Sequence, residues 1–203
     1  MAAARAAGVR DERLLAAICD VPRAEFVPPD LVADAYEDRP LPIAQGQVTT
    51  QPSLVARMVE ALGLRGGDRV LEIGTGFGWQ TALLARLAGS LWSVERWPEL
   101  AGEARVRLAA ARVENVEVVA GDGSGGLPEH APYDAILVAA AFPRVPRALA
   151  VQLADGGRLV QPIGPGGAEE VMLFERVGDR LEPRQLVTLA HFVRLVGRHG
   201  FRA

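Results

Sequence analysis

The sequence predicts an α/β fold, a mostly parallel sheet with helices on both faces and an antiparallel pair at one edge. Three observations predict it. Between residues 67 and 160, short apolar runs alternate with helix-like stretches, the pattern of a parallel sheet covered on both sides. One of these runs, Val70-Leu71-Glu72-Ile73, enters the glycine-rich turn Gly74-Thr75-Gly76-Phe77-Gly78 and then a helical stretch. After residue 161 the rhythm changes to two longer strand-like runs separated by a turn near Gly178-Asp179, which suits an antiparallel edge.

Three consecutive parts form one expected domain. In residues 1–66, Leu14, Leu15 and Ile18 give Arg13–Cys19 an apolar helix face, with Cys19 expected as a small buried residue. Pro22, Pro28, Pro29, Pro40 and Pro42 break the next stretch into loops. Pro52 is placed to open a helix preceded by Thr50 or Gln51. Leu54, Val55, Met58, Val59 and Leu62 form its buried side, and Gly63 ends it. In residues 67–160, strands are expected at 68–73, 91–94, 116–119, 135–138 and 157–161, and helices at 79–87, 99–111 and 146–153. In residues 161–203 the two edge strands are expected at 171–176 and 186–196.

Composition excludes several classes. The apolar share of 49% and charged share of 23% are those of a globular chain, and 203 residues can bury a full core. A net charge of −3 leaves no basic surplus for neutralising phosphates, so nucleic-acid binding is not expected. All 22 basic residues are arginine, which removes Schiff-base lysines and a P-loop lysine together. One cysteine forms no internal disulfide and no multi-cysteine metal site, and His130, His191 and His199 lack metal-ligand spacing, so no metal is expected. No apolar run reaches the ~18 residues of a membrane span, and the Ala-rich start has no long apolar core before Asp11 and Glu12. A cytoplasmic monomer is the expectation.

The glycine turn points to a nucleoside ligand. Glycine lets the backbone turn sharply and approach a ligand closely, and the following helix start presents free N–H groups. About 20 residues on, Ser93-Val94-Glu95 ends the next strand, where a carboxylate can accept from both ribose hydroxyls. A dinucleotide fingerprint would need its third glycine at position 79, which is Trp79. The G-x-G-x-G form, with Glu72 two residues ahead, suits S-adenosylmethionine better, since an acid there can help hold an ammonium. Asp122, in Gly121-Asp122-Gly123, follows the next strand and could accept from an adenine amino group.

These segments, together with others, resemble the protein-L-isoaspartate O-methyltransferases. The resemblance runs in order from about Leu14 to Gly197. It includes Gln45-Gly46-Gln47-Val48-Thr49-Thr50-Gln51-Pro52, Val94-Glu95-Arg96, Asp122-Gly123-Ser124-Gly125-Gly126 and His191-Phe192-Val193-Arg194-Leu195-Val196-Gly197. It implies a Rossmann-like methyltransferase fold with a seven-stranded sheet, S-adenosylmethionine as methyl donor, and methyl esterification of the carboxylate at L-isoaspartyl residues of aged proteins and peptides. The ester then closes to a succinimide whose hydrolysis returns some normal aspartate. The implied cofactor residues are Glu72, Gly74, Thr75, Gly76, Gly78, Glu95, Asp122 and Gly123. The acceptor residues are Thr49, Thr50, Gln51 and Pro52, with Thr50 carrying the catalytic contact. Thr50 stands where the family commonly has serine, Ser53 where an aromatic or histidine is frequent, and Arg194 where proline is usual.

A carboxylate is already ionised near neutral pH, so the reaction needs alignment and exclusion of water rather than a general base. The acceptor anion must sit near Glu72, Glu95 and Asp122. The neutral donors available are the Thr49 and Thr50 hydroxyls, the Gln51 amide and N–H groups of the Pro52 helix. Two other readings stay open: a carboxyl methyltransferase for a dedicated biosynthetic peptide, and an adenosine-binding module without catalysis. Trp92 and Trp97, which flank Glu95, are expected to pack the sheet edge and the adenosine side, and Arg105, Arg107 and Arg112 to lie on a solvated helix face.

Overall fold

In the computed structural model, which describes residues 1–202, the chain opens with α1 (Ala2–Ala6) and α2 (Glu12–Asp20). Asp11 caps α2 by accepting from the N–H groups of Arg13 and Leu14. Leu14, Leu15 and Ala17 are buried, whereas Cys19 is exposed on the outer side of the helix, contrary to its expected burial. A looped stretch carries the short hairpin β1 (Leu41–Pro42) and β2 (Val48–Thr49), and α3 (Pro52–Ala61) follows.

The α/β part comprises β3 (Arg69–Ile73), α4 (Trp79–Leu87), β4 (Ser90–Glu95), α5 (Pro98–Ala110), β5 (Val116–Ala120) and β6 (Tyr133–Val138). It continues through α6 (Arg147–Ala150), β7 (Leu153–Ile163), β8 (Glu169–Val177) and β9 (Arg180–Ala190). The seven strands run in the order β5-β4-β3-β6-β7-β8-β9. Strands β3 to β7 pair in parallel, and β8 pairs antiparallel with both β7 and β9. The chain winds one way from β3 to β5 and the other from β6, so a crevice opens at the carboxyl ends of β3 and β6. That is the usual ligand position in such sheets.

The period-2 alternation of each strand divides the core in two. Val70, Leu91, Ala135 and Leu137 face the cluster built with residues of α1 to α5. Leu71, Ile73, Ile136 and Val138 face the other cluster, covered by Leu149 of α6 and Leu127. Glu72 therefore lies on the α4 side of the sheet.

Three boundaries differ from the sequence expectation. The last strand lies at 180–190 rather than 186–196, because the hairpin turn at Gly178 (φ 59°) sets its start. Residues after Ala190 leave the edge and cross back over the sheet end, where Leu195 N–H bonds the Ala141 carbonyl and Ala141 N–H bonds that of Val193. The expected helix at 146–153 is a single turn, and Leu153–Ala154 already belong to β7. Arg105 and Arg107 are not merely solvated. Arg105 donates to the Val118 carbonyl and Arg107 to those of Glu25 and Val27, tying α5 to its neighbours.

Candidate active site

The glycine turn after β3 places three residues at positive φ, Gly74 (98°), Gly76 (56°) and Gly78 (94°), a conformation costly for any residue with a Cβ. The turn borders a cavity of about 640 Å³ at the carboxyl end of the sheet. Gly74, Thr75, Gly76, Gly78, Glu95 and Gly123 line one part of it, and Thr49, Thr50 and Gln51 another. Gly123 is needed there because a Cβ would come within 2.7 Å of Ile73 Cγ2. Pro52 does not line the cavity; it serves as the first residue of α3.

Glu95 is 5% exposed at the cavity wall. Its Oε2 accepts from Gly76 N–H at 2.9 Å and its Oε1 from Trp97 N–H at 3.0 Å. The carboxylate thus braces the glycine turn, and each oxygen keeps a lone pair for a ligand hydroxyl.

Glu72 takes a different position from the one expected. It is fully buried beneath the turn and does not face the cavity as an ammonium partner. Gln80 donates to its Oε1 at 2.8 Å, and the Thr81 and Ser93 hydroxyls reach its Oε2 at 2.6 Å each. Thr75 Oγ1 lies 2.6 Å from Ser93 Oγ, so the network links the turn to the acid below it. Burial pushes Glu72 up to about 7, against the three hydrogen bonds, which favour ionisation. The alternation of β3 dictates this placement, because Ile73 takes the opposite face.

Asp122 also turns away from the cavity. Its Oδ1 accepts from Ser124 N–H and the Ser124 hydroxyl, and its Oδ2 from Arg198 N–H at 2.7 Å. Its carboxylate therefore holds the C-terminal tail. Desolvation raises its pKa, but these donors outweigh it and the net shift is downward.

On the other side of the cavity, the Thr50 hydroxyl has no hydrogen-bond partner among the described residues, while its carbonyl accepts from Arg23 at 3.0 Å. Thr50 is not the cap of α3. Asp38 Oδ1 accepts from Ser53 N–H at 2.9 Å, so one backbone donor expected to be free is occupied. The Gln51 amide donates to Ser53 Oγ at 2.9 Å. Thr49 Oγ1 accepts from Arg23 at 3.2 Å.

Arg23, Asp38 and Arg57 were not marked by the sequence as neighbours of these residues. Arg23 and Asp38 come from the proline-rich loops, where no periodicity marks them. Arg57 lines the cavity and donates to Thr188 Oγ1 and the Val187 carbonyl, and His191 and Arg194 complete that rim. Trp79, at the position a dinucleotide turn gives to glycine, donates from its indole to the Val21 carbonyl at 3.1 Å. Trp97 lines the cavity, whereas Trp92 stacks on His130 at 4.9 Å. No cluster of three or more His, Cys, Asp or Glu that could hold a metal occurs among the described residues.

A family model described as Protein-L-isoaspartate(D-aspartate) O-methyltransferase (PCMT) matches residues 1–200. The chain is 55% identical over 192 residues to the Protein-L-isoaspartate O-methyltransferase of Anaeromyxobacter dehalogenans, covering 91% of this chain and 92% of that one. It is 51% identical over 198 residues to the protein of the same name from Methanoculleus marisnigri, covering 98% and 90%. Among solved structures, a protein-L-isoaspartate O-methyltransferase superposes with a TM-score of 0.82 at 32% identity. The match covers 95% of this chain and 63% of that longer one. A Plasmodium falciparum chain solved with S-adenosyl-L-homocysteine shares the fold, with a TM-score of 0.77 at 19% identity over 93% of each chain.

Proposed function

The chain belongs to the protein-L-isoaspartate(D-aspartate) O-methyltransferase family, and on that premise we propose that the cavity seats S-adenosylmethionine over the glycine turn and an isoaspartyl carboxylate beside Thr50. The activity is S-adenosylmethionine-dependent methyl esterification of L-isoaspartyl residues, the opening step of their repair. The residues present suit the cofactor: a carboxylate at the cavity wall at the end of β4, a glycine turn without side chains in the way, and apolar walls from Ile73, Val94 and Trp97. When bound, S-adenosylmethionine supplies an electrophilic methyl on a sulfonium.

The protein's part is binding and alignment. Glu95 accepts from ribose hydroxyls, with the turn fixed against it by the Gly76 bond. Glu72 supports that turn from beneath. The Thr50 hydroxyl would donate to one oxygen of the acceptor carboxylate and so hold and orient the anion. No base is required, since the acceptor is ionised at neutral pH. A neutral donor holds the anion without cancelling the nucleophilicity that a bound cation would dampen. Apolar walls limit water that would compete for the anion.

The single observation that carries this reading is the Thr50 hydroxyl, without a hydrogen-bond partner among the described residues, in the same cavity as Glu95 and the glycine turn. The finer reading is a cytoplasmic monomer that binds neither nucleic acid nor membrane. It draws on the net charge of −3, which leaves no basic surplus for neutralising phosphates. Among the described residues no helix is long and apolar enough to cross a membrane. Methyl transfer to two peptides identical except for isoaspartate or aspartate at one position tests the assignment. The isoaspartyl peptide should be labelled and its isomer scarcely at all. Equal labelling would move the acceptor assignment to carboxylates in general.

A further inference from the structure

We propose that Arg23 is a positioning residue for methyl transfer: its guanidinium holds the main chain of Thr49 and Thr50 so that the Thr50 hydroxyl faces the acceptor carboxylate. This rests on the acceptor role given to Thr50 above. Arg23 is 1% exposed, yet it forms no ion pair among the described residues. Its partners are oxygens of the chain itself. Nη1 donates to the carbonyls of Ala35 (3.0 Å) and Glu37 (3.3 Å). Nη2 donates to the carbonyls of Arg39 (3.3 Å), Thr49 (3.3 Å) and Thr50 (3.0 Å) and to Thr49 Oγ1 (3.2 Å). Two separate stretches, 35–39 and 49–50, therefore converge on one planar fork. The guanidinium carbon lies 5.6 Å from the Trp79 ring centre, which fixes the fork against α4.

Only arginine meets this demand. Carbonyls spread around a plane match a rigid guanidinium with several N–H groups, whereas an ammonium is a compact point charge. Burial lowers the Arg23 pKa to about 10, offset in part by Asp38, so the group remains charged at neutral pH. Asp38 in turn holds Ser53 N–H at the start of α3. The acceptor segment is thus clamped at Thr49 and Thr50 by Arg23 and at Ser53 by Asp38. Thr50 is left with its carbonyl bound on one side and its hydroxyl, unpaired among the described residues, at the cavity. Without the fork, the two carbonyls lose their buried donor and the hydroxyl loses its fixed direction. Misplacement by about 1 Å can cost on the order of 10² in rate.

The test is a double-mutant cycle of Arg23→Gln with Thr50→Val, with Arg23→Lys as a second variant. The readouts are kcat and KM for an isoaspartyl peptide, S-adenosyl-L-homocysteine affinity by calorimetry, and thermal melting. Arg23→Gln should lower kcat/KM by on the order of 10²-fold and leave S-adenosyl-L-homocysteine affinity unchanged. In the Thr50→Val background the further loss should shrink to a few-fold, because the hydroxyl that Arg23 aims is gone. Arg23→Lys should fall between wild type and Arg23→Gln. Losses that multiply fully, or peptide kinetics and S-adenosyl-L-homocysteine affinity that fall together, would make Arg23 a fold determinant only. So would failure of both Arg23 variants to fold. A Thr50→Val protein with wild-type kinetics would instead sink the Thr50 assignment itself, which separates the two failures.

Discussion

Thr50 shows how much one side chain's role depends on what its neighbours leave free. From sequence, a threonine just ahead of a proline-started helix could hold an anion or cap the helix. The structure gives the Ser53 N–H to Asp38, so removal of the Thr50 hydroxyl costs no cap. Thr50→Val should therefore lower kcat with isoaspartyl peptides toward the low end of the 10²–10³ range known for removal of one positioned donor. Its melting temperature and S-adenosyl-L-homocysteine affinity should match wild type, and Thr50→Ser should keep activity. Steady-state kinetics and differential scanning calorimetry on both variants check this. A lowered melting temperature with unchanged kinetics would return Thr50 to a structural role.

At the scale of an element, the unit is β3, the glycine turn and α4, with Glu72 as its internal brace. The side chain is buried by strand alternation and held by residues of α4 and β4. Its pKa, about 7 in the folded chain against the usual 4.5, sets a pH dependence. Between these values the unfolded chain releases the proton and the folded chain keeps it. Stability therefore falls as pH rises through that window, by about 3 kcal/mol, and levels off above it. Glu72→Gln keeps the shape and most of the hydrogen bonds and removes the titration. Urea unfolding at pH 5 and pH 8 should show a smaller drop for Glu72→Gln than for wild type. Parallel drops in the two proteins would mean that Glu72 does not titrate in this window.

At the scale of the whole molecule, the carboxyl end of the sheet is closed by a tail far away in sequence. Asp122 and Ser124 hold the Arg198 and His199 N–H groups, and Val196 of the same tail lines the cavity. Gly197 permits the approach, since a Cβ there would lie 2.0 Å from Asp122 Oδ1. Asp122→Ala and Gly197→Ala should both loosen the tail, one by removing its anchor and the other by crowding it. Each should speed tryptic cleavage after Arg198 in the native protein and weaken S-adenosyl-L-homocysteine binding. For Asp122→Ala the lost charged hydrogen bond amounts to roughly 1.5–3 kcal/mol of anchorage. Unchanged cleavage in both variants would show that the tail is held by its other contacts, chiefly those to Ala141.

The sequence by itself determined the features that depend on neighbours along the chain. Helix α4 runs from Trp79 to Leu87 as its pattern predicts, and strands β3 to β6 lie within two residues of their expected positions, because burial periodicity and glycine placement are local signals. The place of the glycine turn, Glu95 and Thr50 at the cavity was legible for the same reason: each lies close to the end of a strand or the start of a helix. Only the tertiary structure decided which way side chains with more than one option would turn. Glu72 and Asp122 read as cavity acids, yet one supports the turn from below and the other holds the tail. Arg23 lay in a loop without periodicity, and its carbonyl partners extend from Ala35 to Thr50. A side chain's partners are fixed by where distant segments meet, and a short-range pattern carries no record of that meeting.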